Sequence, residues 1–343
     1  MSTYERIKIS IRQAIKEDIN AIMSFINTEW KDQHILARDK SFFTYEHTYD
    51  DKVNFIIACN GVNEIIGLIG FIICAPGELS DACTVIWKVA KPSGHPALGI
   101  KLLQYVSRLE KVRYILSPGI NESTVPIYSF LGMFTGELEQ YYLLNPKKKQ
   151  FEIGKIITKS IEKDKTNEEK ISGYTIELME CETEIKKFPF HKFKDQVPYK
   201  NEAYFIKRYC HHPVFQYMIY GFYLDNVILA LIVLRKQPHN GASALRFIDY
   251  YGDQEYLAFT GVFFESLLIE QDCEYLDFYC YGFKNDLLRK AGFTIISEED
   301  KNIIPNYFSP FIQENIKIRF FSNTKNHGTI RLCKGDGDQD RPN

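Results

Sequence analysis

Apolar positions along this chain fall into strand-like and helix-like periods, and the same order of periods occurs twice. Residues 54–58 and 65–73 are short apolar runs joined by Gly61-Val62-Asn63, a β-hairpin signal. Their alternation is poor, which predicts burial on one or both faces. A third strand is expected over 84–90. Leu98, Leu102, Leu103, Val106 and Leu109 then share one face at helical spacing. A strand over 112–116, a helix opening after Asn121 and a last strand over 139–144 complete the first half.

The second half repeats this plan. Runs 220–224 and 227–234 flank Asp225-Asn226, a sharper hairpin turn than the first. Strands over 244–250 and 274–281 bracket a helix carrying Val262, Phe263, Ser266, Leu267 and Ile269. A further helix over 284–291 ends at Gly292-Phe293. Pairing Val85 with Phe247, Tyr114 with Leu276 and Gly132 with Gly292 gives offsets of 162, 162 and 160 residues. Three matches in order point to a tandem duplication, carried by pattern because residue identity between the halves is low. The expected organisation is a first domain over 1–146, a charged linker over 147–172 and a second domain over 173–343. Lys147-Lys148-Lys149 and the charged run 162–170 suit a solvated connector better than a recognition patch. The expected class is α/β of the mixed α+β kind, two tandem domains each with a mostly antiparallel mixed sheet flanked by helices.

Composition narrows the function. At 343 residues each half is long enough to bury its own core. Forty-two basic against 44 acidic residues leave a net charge of −2, which supplies no field for nucleic acid. The aromatic content of 14% is compatible with stacking on sugars, although buried strand aromatics account for most such counts. The eight cysteines form no CxxC pair, lie mostly in apolar runs, and suit a reducing compartment. No stretch reaches membrane-spanning length and the first residues lack an apolar leader core, so a cytoplasmic location is expected.

The most informative stretch is Asn121-Glu-Ser-Thr-Val-Pro-Ile-Tyr128-Ser-Phe-Leu-Gly132-Met133. It resembles the N-x-x-A-x-x-L-Y-x-x-x-G-F signature of the GCN5-related N-acetyltransferase superfamily, with Met133 in place of Phe. That resemblance implies that Tyr128 is the acid that protonates a departing coenzyme A thiolate. It also implies a pyrophosphate loop between the fourth strand and the next helix. Here that stretch is Lys91-Pro-Ser-Gly94-His95-Pro96-Ala97-Leu98-Gly99-Ile100, led into by Trp87 and Val89. Small residues at Ala97 and Gly99 permit the close backbone approach that phosphate binding requires. Gly94 stands where the family has Gln or Arg, and Pro96 removes one donor. Gly94, His95, Ala97, Leu98, Gly99 and Ile100 are therefore the expected acyl-CoA contacts. Asn121 joins them at the second helix's entrance, where a capping role is the plainer one.

The second half lacks these features. Leu288 stands four residues before Gly292, where the first half has a tyrosine, and no glycine-rich turn follows 244–250. The expectation is one acyl-CoA site in the first half, with the second half shaping the acceptor side or acting as scaffold.

Acyl transfer to an amine also needs a proton acceptor. The segment 84–90 carries no carboxylate, so the base must come from elsewhere or be water. His34 and His47 follow the first helix, where this fold builds its acceptor cleft, and an imidazole can accept a proton near neutrality. Each is equally readable as a structural histidine. Asp249 and Asp277 lie in otherwise apolar strands and need partners there; they could hold an acceptor group or cap a strand end. His211-His212 has no further ligand at metal spacing. The segment Asp336-Gly-Asp-Gln-Asp-Arg-Pro has a calcium-loop look but no downstream Glu, so no metal is expected.

Trp30…His34-Ile-Leu, Asn302-Ile-Ile-Pro-Asn-Tyr-Phe-Ser-Pro-Phe311 and the Asp-Gly-Asp-Gln-Asp-Arg-Pro-Asn segment together resemble tandem proteins of bacterial surface-polysaccharide gene sets. That resemblance implies N-acylation of an amino sugar, free or nucleotide-linked, from acetyl-CoA or another acyl-CoA. The alternatives are a Fem-type aminoacyl transferase and a binding protein of the same fold without catalysis. Oligomeric state is open.

Overall fold

The computed structural model describes residues 9–49, 51–91, 95–158, 173–180 and 182–342. The charged run 162–170, Gly94 and Cys181 lie outside them.

The first half contains β1 (Ser10–Ile15), α1 (Ile19–Phe25), α2 (Ile35–Arg38), α3 (Lys40–His47), β2 (Lys52–Cys59), β3 (Ile65–Ile73) and β4 (Ser80–Val89). It continues through α4 (Leu98–Val106), β5 (Val112–Ile120), α5 (Val125–Phe130) and β6 (Phe134–Leu144). The second half has β7 (Tyr174–Leu178), α6 (Glu202–Phe205), β8 (Met218–Leu224), β9 (Val227–His239) and β10 (Ala242–Gly252). Then come α7 (Gly261–Glu270), β11 (Tyr275–Tyr281), α8 (Asn285–Lys290), β12 (Thr294–Ile295), β13 (Ile318–Ser322) and β14 (Leu332–Cys333).

The expected hairpins form where the patterns place them. Asp225 and Asn226 both take positive φ, 49° and 62°, the type I′ geometry that matches strand twist. Helix α4 buries Leu98, Leu102, Leu103 and Val106 against the inner positions of β2–β5. On the other face α1 to α3 bury Ile22, Phe25, Phe42 and Phe43 against Phe55 and Ile57. In the second half Leu267, Leu268, Leu287 and Leu288 cover Phe247 and Phe278 in the same way.

The two halves share one sheet, in the order β1-β2-β3-β4-β5-β13-β6-β11-β10-β9-β8-β7. The strand expected over 139–144 begins earlier, at Phe134, and serves both halves. Its residues 134–138 pair with β13, and residues 139–144 pair with β11, the change of partner falling between Leu138 and Glu139. Strand β13, from the second half, lies between β5 and β6 and completes the first half's sheet. The distal part of β6 lies in turn between β11 and β12 and completes the second half's. The exchange is reciprocal.

Each half also carries the same irregularity. Opposite Gly70 on β3 stand two residues of β4, Val85 and Ile86; opposite the Val233–Leu234 step on β9 stands one extra residue of β10, Ile248. Such bulges re-aim side chains and free ladder groups beside a site. Gly70 is required there, because a Cβ would lie 2.8 Å from both the Phe55 ring and Val85.

Candidate active site

Just before these bulges the parallel strands part. The β4–β5 ladder runs Ser80–Val112, Ala82–Ile115 and Cys83–Leu116, with no further pairs although both strands continue. At the fork the Ser117 hydroxyl donates to the Thr84 carbonyl at 2.7 Å. The β10–β11 ladder ends likewise at Phe247–Phe278. The molecule therefore has two forks, and they differ in what fills them.

In the first half, α4 starts beside the end of β4. Ala97 precedes it in the left-handed region at φ 59°, and no side-chain hydrogen bond caps it among the described residues. Leu98 is buried, Gly99 and Ile100 are half-buried, and His95 accepts from the Leu98 amide at 3.4 Å. The Trp87 indole donates to the Gly99 carbonyl at 3.1 Å and lies against Gly99 so closely that a Cβ would come within 3.2 Å of the ring. This ties β4 to the first turn of α4, with Val89 half-buried at the strand's end. Tyr128, on α5, is buried in the same layer. Its ring stacks on Phe321 of the exchanged β13 at 4.0 Å and lies 5.6 Å from the Trp87 ring. Burial pushes its phenol pKa upward. Asn121 caps the short turn before α5, accepting from the Ser123 amide and hydroxyl at 2.9 and 2.7 Å. Trp87, Ala97, Leu98, Gly99, Ile100 and Tyr128 are thus gathered around the first fork.

The second fork is filled by the chain's own C-terminal segment. β14 pairs with Cys280 and Tyr281 of β11, and the Gly335 amide donates to the Ile248 carbonyl at 2.6 Å. The position matching Tyr128 is Leu288, wholly buried in the second core. From there the segment crosses to the first half, with Gly337 against Pro118 and Cys83 and Gln339 packed on Gly119. Nothing in the residues of this polar stretch signals burial. Its carboxylates are consumed by cations from the second half. Asp336 Oδ1 lies 2.8 Å from Lys200 Nζ, and Asp340 accepts from Arg235 at 2.6 and 3.2 Å.

Asp249 and Asp277 belong to this ionic layer. Asp249 receives Lys200 Nζ at 2.7 Å on both oxygens and Tyr209 at 2.7 Å. Asp277 receives Arg246 in a bidentate pair at 2.5 and 2.7 Å. Both carboxylates are fully engaged inside the second half, and the structure does not bring them to the first fork. Among the described residues no group of three His, Cys, Asp or Glu could hold a metal ion.

His34 and His47 are brought together through a residue that sequence reasoning passed over, Glu46. His34 caps α2, its Nδ1 accepting from the Leu36 amide at 3.3 Å, while Nε2 faces Arg341 Nη2 at 3.0 Å. A neutral imidazole has one accepting nitrogen, so it cannot serve both donors. Burial, then the Arg341 charge, bring the His34 pKa down to about 3. His47 is wholly buried against Phe43 and Phe55, with Nε2 3.2 Å from Glu46 Oε2 but off-line for a hydrogen bond. Burial opposes ionisation of Glu46, and His47, Arg341 and Arg208 outweigh it, holding its pKa at about 2. No local pattern could have singled out this carboxylate, because two of its neighbours come from positions 208 and 341.

No family model and no curated protein matches the sequence. Solved structures do match in fold. A GCN5-related N-acetyltransferase from Anabaena variabilis ATCC 29413 is 12% identical, with 92% of this chain and 72% of that one covered at a TM-score of 0.55. A conserved protein from Enterococcus faecalis V583 is 10% identical over 92% and 72%, at 0.51. No helix among the described residues is long and apolar enough to cross a membrane. One continuous sheet with two forked, bulged and strand-exchanging halves, together with these likenesses, gives the chain a tandem GCN5-related N-acetyltransferase fold.

Proposed function

We propose that the protein is an acyl-CoA-dependent N-acyltransferase with one reaction centre, at the first fork, and that its acceptor is the amine of an amino sugar. The observation that carries this reading is the parting of β4 and β5 after Cys83 and Leu116, beside the Val85–Ile86 bulge and the buried Tyr128. The filled second fork and Leu288 support a single site. The first domain, 1–146, holds the acyl donor, while the second, 173–343, closes the acceptor side. The amino-sugar part rests on the sequence resemblance alone.

The residues at the fork suit an acyl-CoA. The first turn of α4, with no side-chain cap among the described residues, offers amide groups for a pyrophosphate. The bulge frees backbone groups that can steady a carbonyl oxygen as it gains charge. In the reaction the amine lone pair forms the new C–N bond, the C–S bond breaks, the sulfur takes one proton and the nitrogen releases one. Tyr128 supplies the sulfur's proton, and its upward-shifted pKa keeps the phenol protonated until then. The nitrogen's proton leaves to water, because His34 and Glu46, held at about 3 and about 2, are too weak as bases to take it near neutral pH.

Thermal unfolding with acetyl-CoA tests the donor half of this reading. A midpoint that rises with ligand concentration is expected; none at saturating ligand refutes it. Mass change across a panel of free and nucleotide-linked amino sugars then tests the acceptor.

A further inference from the structure

At the mouth of the second fork, past the residues that fill it, lies a cavity of about 430 Å³. It is bounded by the start of β9, the end of β10 at Gly252, Phe283 just after β11 and the loop 189–196. β11 runs antiparallel to β6, and β5 and β6 are both antiparallel to β13, so this mouth faces the opposite way from that of the first fork. Two cations, Lys192 and Arg331, line the cavity. Their segments are laced together, the Arg331 amide donating to the Val197 carbonyl at 2.9 Å and the Val197 amide to the Thr329 carbonyl at 3.0 Å. Lys192 is exposed, and its ammonium pairs with no carboxylate among the described residues. Arg331 turns Nη1 to the Gly328 and Ile330 carbonyls at 2.9 and 2.8 Å, leaving Nε and Nη2 without a partner among the described residues. Arg113, Arg235 and Arg246 each give that same Nε–Nη2 edge to an aspartate. Burial lowers the Arg331 pKa, with no carboxylate to offset it. Among the described residues the only carboxylate lining the cavity is Asp253, which accepts from the Glu255 amide at 3.1 Å and so caps its own turn.

An open guanidinium edge presents two parallel donors, the geometry that matches a phosphate. With an ammonium in the same lining a dianion is favoured over a monoanion, and a phosphomonoester carries about −1.5 to −2 charges near neutral pH. The rest of the wall suits a flat ring. Phe193 and Tyr256 line it, and packing fixes both, Phe193 stacked on Phe188 at 5.5 Å and Tyr256 tilted on Phe222 at 4.9 Å. Fixed aromatic faces take a nucleobase of any kind, and the volume falls in the usual range of about 300–1,000 Å³ for small-ligand pockets. We propose that this cavity is a second ligand site, which holds the phosphate of a nucleoside monophosphate on Arg331 and Lys192 and its base against Phe193 and Tyr256. Arg331 immediately precedes β14, so the ligand also grips the root of the segment that fills the second fork. The site is separate from the reaction centre and does not depend on the acyltransferase reading.

The full chain is titrated calorimetrically with AMP, GMP, CMP and UMP, with the matching nucleosides and inorganic phosphate as comparisons and no acyl-CoA present. At least one nucleotide is expected to bind, and its nucleoside and inorganic phosphate, each keeping half of the contacts, should bind at least about tenfold more weakly. Arg331→Gln and Lys192→Glu should each weaken the nucleotide by about tenfold or more. Lys192 is exposed, so its variant decides the matter if the Arg331 variant does not fold. The bound nucleotide should also slow amide exchange over residues 189–197 and 330–335. Absence of binding by all four nucleotides, inorganic phosphate binding as tightly as the nucleotide, affinity unmoved by Lys192→Glu, or protection confined to residues 95–100 overturns the proposal.

Discussion

The Gly335 amide bonds to the Ile248 carbonyl at 2.6 Å, at the bulge where the second fork opens. The matching bulge, Val85–Ile86, belongs to the fork around which the donor-side residues gather. Duplicated frameworks therefore diverge here through what fills the gap. Gly335 is held without room for a side chain, a Cβ falling 2.5 Å from the Tyr209 hydroxyl and 2.9 Å from the Ile248 carbonyl. Gly335→Ala should cost roughly 1–3 kcal/mol of stability through overpacking and raise amide exchange across residues 330–342. Unchanged protection there would show that the segment is not seated by this contact.

The Arg246–Asp277 pair is almost wholly buried, both side chains 1% exposed. Removing one partner leaves an uncompensated charge, so Asp277→Asn or Arg246→Met should each lose about 3–5 kcal/mol. The double variant Arg246→Met/Asp277→Leu should recover a large part of it. Urea unfolding midpoints measure this, and strictly additive losses would contradict the coupling.

Tyr128→Phe keeps the ring and its stack on Phe321 while removing the hydroxyl. Turnover should fall by about 10²–10³, within the range of general-acid contributions, with the KM for acetyl-CoA little changed. Thermal stability should stay within about 0.5 kcal/mol of the parent. Steady-state kinetics at saturating acceptor separate the two parameters, and an unaltered kcat removes Tyr128 from the chemistry.

Acid should destabilise the Glu46 region in two stages. Burial holds the His34 and His212 pKa values at about 3 and about 4, whereas unfolded histidine titrates near 6.5. Below that value the unfolded chain binds more protons, so stability falls with pH, by at most ~1.4 kcal/mol per unit for each ring and less where water reaches it. Glu46, lowered to about 2, adds a loss as pH drops through about 4.5 toward 2. Asp336, pushed up to about 6 by burial in spite of Lys200, acts in the opposite sense. The informative quantity is therefore a difference between proteins. His34→Asn, which retains a side-chain acceptor for the Leu36 amide, should flatten the pH 4–6.5 limb of the urea midpoint; identical slopes would contradict this assignment.

Much of the fold was legible because strands and helices write their periods locally. The runs at 65–73 and 227–234, the Asp225-Asn226 turn and the α4 stripe all declare themselves within a few residues. Tyr128 and the small residues before α4 were legible for the same reason, and Asp249 and Asp277 announced that partners must exist. What the residues could not announce was which partners. The switch of β6 from β13 to β11 at Leu138–Glu139 has no local mark, since both portions are ordinary strand sequence. The segment 336–341 has the composition of an exposed tract, and its burial depends on Lys200, Arg208 and Arg235, more than a hundred positions away. Glu46 is hidden likewise, an acidic residue at a helix end whose neighbours arrive from across the chain.

The exchanged strand also sets a timetable for biosynthesis. With β13 at Ile318–Ser322 filling the place beside β5, the first half cannot close its sheet while only its own residues have left the ribosome. Its β5 edge must wait unpaired through nearly two hundred further residues. An open strand edge is a template for wrong pairing. Separate expression of residues 1–146 should therefore yield an aggregation-prone fragment, and supplying the remainder as a second polypeptide should rescue it by restoring the missing strand.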